Sequence, residues 1–259
     1  IPHLHGMLAF AYEQCHLLDE AEAAARHALS LQRKEPWAQH ALAHVMLTQG
    51  RIDEGVAFLE GVRDTWTDLN SFMDTHLWWH MALFYLSQGR FEAALAAYDD
   101  HCWTQSRDYS QDQVGAVSLL ARLDLAGVDV GSRWNDLAEY LAVRAGDVVQ
   151  PFLSLQYLFG LARAGRPEAD QLLAAIRRAA VEAPDFARPT WRDVALPAAE
   201  GLVAHARGDY PAALRGLRAA LPRLAEVGGS HAQRDLFDQI ILDALIRSDR
   251  LSDAQQMLE

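Results

Sequence analysis

Cysteine is scarce in this chain of 259 residues: only Cys15 and Cys102 are present. Two thiols make no disulfide framework, so nothing asks for an oxidising compartment, and a cytoplasmic location is expected. Basic charge is also short. Lys and Arg number 23 against 35 Asp and Glu, a formal net charge of −12. That balance argues against nucleic acid, which needs a basic stripe, and against docking on an anionic membrane. Long apolar runs are missing. The longest, Leu77 to Leu86, contains His80 and is about half the length of a spanning helix. No charged segment followed by an apolar one opens the chain, so no signal peptide is read there. Lysine is reduced to Lys34, and asparagine to Asn70 and Asn135, while alanine and arginine abound. This is the codon bias expected of a GC-rich bacterial genome. The chain opens at Ile1 and stops at Glu259 inside a helical pattern, so a C-terminal fragment of a longer protein is expected.

Several chemistries are missing too. There is no GxxxxGK[ST] loop, no GxGxxG after a strand, no GxSxG elbow and no CxxC pair. Cys15 beside His16, and Cys102 beside His101, are sequence neighbours whose side chains diverge on a helix. Acid pairs such as Asp99-Asp100 and Glu20/Glu22 read as solvated helix faces. No nucleophile stands with a base and an orienting group, so the reading leans away from an enzyme.

What is present is a repeat. A short Gly or Asp turn recurs at Gly50, Gly89, Gly127, Gly165, Gly208 and Asp249, in steps of 39, 38, 38, 43 and 41 residues. An earlier equivalent is expected near Leu17-Leu18-Asp19. Apolar residues spaced three and four apart flank each turn, and a Gly there ends a helix in a left-handed residue. No stretch alternates as a strand would. Seven helical hairpins are predicted, the last truncated. Pro151, Pro167 and Pro211 mark first helical turns, and Ser230 with Gln233 forms a capping box. Residues 75–108 fit the tetratricopeptide pattern best, through Trp78, Met81, Ala82, Tyr85, Ala94 and Tyr98. Residues 2–35 and 36–69 fit it in the same register, and 110–259 keep the period in degenerate form. The fold class is therefore all-α: one α-solenoid over 1–259, of tetratricopeptide type, wound as a right-handed superhelix with a concave face.

The first helices of hairpins one to three share a second stripe. Two residues before the Trp slot, which His5, Gln39 and Trp78 fill, stand His3, Trp37 and His76. One after it stand Gly6, His40 and Trp79, and five after it Phe10, His44 and Leu83; His80 lies beside the stripe. At 3.6 residues per turn these positions form one face. Three readings are open: packing of the rings against neighbouring hairpins, a groove for a peptide or small molecule, or a metal site. The i, i+4 pairs His40/His44 and His76/His80 suit a divalent metal, since both rings of a pair leave one side of a helix. No cofactor is required by the sequence. The stripe has no Lys, Arg or Asn to clamp a peptide carboxylate, so an acidic peptide tail is not the expected ligand.

Beyond the repeats, the chain resembles the tetratricopeptide repeat protein 38 family. The resemblance is carried by Gly6-Met7 with Ala9-Phe10, by Trp37 with His40 and Ala43-His44, by His76-x2-Trp79-His80-x-Ala82-Leu83, and by Tyr98-Asp99-x-His101. It continues through Gly127-Val128-x-Val130-Gly131-x-Arg133-Trp134, Arg192-Asp193-Val194 with Leu196-Pro197, and Gly228-Gly229-Ser230-x-Ala232-Gln233-Arg234-Asp235-x-Phe237. The resemblance implies a longer helical-repeat protein and no particular activity. It adds His101, Arg133, Arg234 and Asp235 to the candidate groove residues; Arg133 and the Arg234-Asp235 pair have helix packing and a structural ion pair as their plainer roles. The family tends to carry an acid where this chain has Leu47. Two functions stand at this point: a scaffold binding a peptide or small molecule in a His/Trp-lined groove, or a metal-binding protein or enzyme using His40, His44, His76 and His80.

Overall fold

Seven turns set the architecture. The computed structural model describes residues 1–259, and at each predicted turn one residue adopts the left-handed conformation: Gly50, Gly89, Gly127, Gly165, Gly208 and Asp249, with His16 opening the series. Every one carries the same pair of hydrogen bonds. At the second turn Gly50 N–H donates to Leu47 C=O at 3.1 Å and Arg51 N–H to Met46 C=O at 2.9 Å. At the first, His16 donates to Glu13 and Leu17 to Tyr12. This is the Schellman closure, which satisfies the last carbonyls of a helix and reverses the chain.

The hairpins so made are α1 (Pro2–Gln14) with α2 (Leu18–Leu31), α3 (Pro36–Thr48) with α4 (Ile52–Val62), and α5 (Ser71–Ser87) with α6 (Phe91–Ala97). They continue as α7 (Ser110–Leu125) with α8 (Arg133–Leu141), and α9 (Pro151–Arg163) with α10 (Glu168–Glu182). After the short α11 (Arg188–Thr190) come α12 (Leu196–Ala206) with α13 (Tyr210–Ala220), and α14 (His231–Arg247) with α15 (Leu251–Leu258). The fold is an all-α helical repeat solenoid. None of its helices is long and apolar enough to cross a membrane. Two departures from plain α-helix are π-helical: Tyr98–Cys102 after α6, and Trp191–Ala195, which joins α11 to α12. The second extends the first helix of its hairpin.

Local signals act where the sequence puts them. Pro151 is the first residue of α9, Pro167 caps α10, and Pro211 lies in the first turn of α13. The Ser230–Gln233 capping box closes reciprocally at the start of α14.

The chain forms two compact units, Ile1–Gly115 and Ala116–Glu259. In the first, α3 packs against α1, α2, α4 and α5. Its residues Ala38 to Met46 are all buried, and α5 is buried from Thr75 to Tyr85 apart from Trp78. A helix hidden on all sides has no need of a polar face, which is why the apolar stretch around Leu77–Leu86 is not a membrane segment. The outer helices α2 and α4 bury one stripe each: Ala21, Ala25 and Ala28 in α2, and Gly55, Val56, Leu59 and Val62 in α4. In the second unit α9 is the inner helix, buried from Ser154 to Leu161.

Candidate metal centre

Adjacent packing of α3 and α5 brings four imidazoles together. His40, His44, His76 and His80 each present a ring nitrogen, and these four atoms all lie within 4.8 Å of one another. The Nε2 atoms of His44 and His76 each stand 3.1 Å from His40 Nε2. His80 completes the set, its ring centroid 4.9 Å from that of His40 and 4.5 Å from that of His44. The rings come in the i, i+4 pairs that the sequence offers, so each pair leaves one side of its helix.

The cluster is dry. The four histidines are 2%, 1%, 8% and 0% exposed, in chain order. An aromatic wall surrounds them. Phe10 of α1 lies 4.9 Å from His40, and Trp37 meets His40 edge-on at 5.6 Å. His76 is stacked against Phe72 at 4.9 Å and against Trp79 at 5.1 Å. Burial, with repulsion from His44 and His76, holds His40 well below the ordinary imidazole pKa. Burial and the facing His44 ring push His76 down to about 3. Both rings are therefore neutral at physiological pH, the form that ligates metal.

The hydrogen-bond inventory of this arrangement is short of protons. A neutral imidazole has one N–H and one lone pair. His40 Nε2 faces two other Nε2 atoms, so a single hydrogen or a single lone pair must serve both contacts. Its other nitrogen, Nδ1, is buried with no hydrogen-bond partner. Converging ring nitrogens that cannot satisfy one another are what a cation between them would satisfy. Bonds of about 2.0–2.1 Å to a tetrahedral ion set donor atoms roughly 3.3 Å apart; the separations from His40 to His44 and to His76 are 3.1 Å, and the four atoms together lie within 4.8 Å.

One carboxylate reaches this cluster that sequence reasoning missed. Glu13 of α1 is 1% exposed, and its Oε1 lies 3.4 Å from His44 Nδ1. Its other oxygen accepts from Gln14 Nε2 at 2.5 Å. Glu13 stands eight residues after His5, the slot that Leu47 fills in α3. Continuing the stripe one turn further would have found it.

The remaining candidates lie elsewhere. His3 is an exposed ring whose Nδ1 meets Glu35 Oε1 at 3.1 Å, and Glu35 also caps α3 by accepting from Ala38 N–H at 2.6 Å. Gly6 makes room for that cap, because a Cβ there would stand 2.2 Å from Glu35 Oε2. His101 is stacked face to face on Trp78 at 3.6 Å, on the π-helical turn. The last three belong to the second unit. Arg133 Nη1 donates to Val130 C=O at 3.1 Å, while Trp134 donates to Asp124 at 3.0 Å and is buried. Arg234 donates to the Gly228 and Gly229 carbonyls. Asp235 stands 3.6 Å from Arg122, a buried guanidinium that burial lowers to about 10. Arg122 also donates to Ala232 C=O at 2.8 Å and to Ser118, so these groups tie the start of α14 to α7.

Residues 75–100 match the tetratricopeptide repeat. That stretch is a tetratricopeptide-type repeat. The matched stretch holds most of α5 and all of α6, and with them His76, Trp79 and His80. Two of the four ring donors thus ride on a repeat whose usual business is to scaffold binding.

Proposed function

We propose that this chain is a tetratricopeptide-type scaffold that holds one transition-metal ion on His40, His44, His76 and His80. The observation that carries the proposal is the convergence of four buried ring nitrogens from two neighbouring helices, three of them Nε2 atoms at 3.1 Å spacings about His40. Imidazole donors select Zn²⁺, Cu, Ni or Fe over Mg²⁺ and Ca²⁺, which want oxygen. With four buried protein ligands the centre has the form of a closed, structural site, and no catalytic step is assigned to it. The ion would clamp α3 to α5 at the heart of the first unit.

The peptide or small-molecule reading is the second one, favoured by the tetratricopeptide match. It draws on other surfaces than these four rings, which are buried. Membership of the tetratricopeptide repeat protein 38 family rests on the motifs shared along the chain and goes with either reading.

The test is native mass spectrometry on protein purified without a histidine tag and loaded with Zn²⁺. One ion per chain is expected, lost in His40→Ala with helical circular dichroism retained. Absence of stoichiometric Zn²⁺, Co²⁺, Ni²⁺ and Cu binding to the folded wild-type chain would sink the proposal.

A further inference from the structure

Imidazoles ligate metal as neutral donors, so a dication bound here would bring its full charge into a buried aromatic shell. An ion in such a place needs a counter-charge close by. Glu13 occupies the position for one. It is as buried as the ligands themselves, it comes from a third helix, and its carboxylate stands at His44 Nδ1, on the far side of the ring from the converging Nε2 atoms. A ligating histidine commonly donates its second N–H to a carboxylate, which fixes the tautomer and the ring orientation and raises the basicity of the ligating nitrogen.

The environment favours that division of labour. His44 Nε2 faces the cluster and His44 Nδ1 faces Glu13, so a proton on Nδ1 leaves the Nε2 lone pair for the ion. Phe10, one turn earlier on α1, packs its ring 5.6 Å from that of His44, which limits how far the imidazole can turn. Gln14 Nε2 holds the other carboxylate oxygen and so sets the direction in which Glu13 points. Gly6 and Glu35 allow α1 to sit close against the start of α3, and this close seat brings Glu13 within reach.

Resting on the metal reading above, we infer that Glu13 is the outer-sphere carboxylate of the centre: a positioning residue that orients His44 through Nδ1 and supplies the charge partner of a dication. Metal binding then engages α1 as well as α3 and α5, although α1 contributes no ligand.

Glu13→Gln tests the charge while keeping the shape, since an amide oxygen can still accept from Nδ1–H. In competition titrations with a chelator of known affinity, the variant is expected to bind Zn²⁺ about ten- to a hundredfold more weakly than wild type. Cu⁺, titrated anaerobically, should lose much less, because a monocation depends less on the counter-charge. Equal losses for both ions would mean that Glu13 is merely structural, and an unchanged Zn²⁺ affinity would remove it from the centre; either result overturns the inference while leaving the four-histidine site standing. Wild-type protein that binds neither ion would instead fail the metal reading itself. A second measurement needs no variant. Long-range ¹H–¹⁵N spectra of Zn²⁺-loaded wild type should show His44 protonated at Nδ1 and metal-bound at Nε2, and the reverse tautomer would overturn the proposal.

Discussion

His40 stands at the centre of the ring contacts: it meets Phe10, Trp37, His44, His76 and His80, and its Nε2 is its one polar contact. A side chain so placed is tolerated only in the neutral state. His40 and His76 both have depressed pKa values in the folded chain, so the unfolded chain takes up protons that the native one refuses. Their stability contribution is full above the ordinary imidazole value of about 6.5 and falls as the pH drops below it. Urea titrations of metal-free protein at stepped pH should therefore show the unfolding midpoint declining below about pH 6.5, with the decline much reduced in a His40→Ala, His76→Ala double variant. A midpoint flat across that range would contradict the depressed values. The i, i+4 histidine pairs made these residues legible in the sequence. Glu13 was not legible as a site residue, because a glutamate near a helix end reads as solvated, and its burial is decided by how α1 seats against α3.

At the scale of the element, the turns were legible for a physical reason. Only a left-handed residue closes the Schellman bonds, and five of the later turns use Gly there and one Asp. The first turn falls at His16, just before the Leu17-Leu18-Asp19 stretch where the period puts it, because His16 takes the left-handed conformation at φ 60° without a glycine to mark it. An L-residue pays for that conformation. Replacing His16 or Asp249 by Gly is expected to raise stability by about 1 kcal/mol, read by chemical denaturation; a loss would show that the side chain holds its turn. The capping box predicts the opposite sign at α14, where Ser230→Ala should cost about 1 kcal/mol. The two π-helical segments left no mark in the sequence pattern: both keep apolar spacing through the extra residue, and only the backbone hydrogen bonds reveal them.

For the whole molecule, the two units divide the consequences of metal binding. All four ring donors and Glu13 lie within Ile1–Gly115. A ligand that binds only the folded state stabilises it by about 2.7 kcal/mol at a hundredfold excess over Kd. Zn²⁺ should therefore slow hydrogen exchange across α1, α3 and α5, with α9 and α12 to α14 unchanged. Equal protection in both units would point to a different binding place. The repeat architecture was legible because its period recurs along the chain, whereas the centre depends on one contact between α3 and α5 that no period records.

The most direct measurement is a Co²⁺ titration of the metal-free, tag-free chain, followed by visible absorption. Four imidazoles closing on one ion predict the intense d–d bands of tetrahedral Co²⁺, saturating at one equivalent, bleached by Zn²⁺ and absent in His40→Ala. Weak octahedral absorption that never saturates, or bands that survive His40→Ala, would contradict a metal centre at the α3–α5 contact.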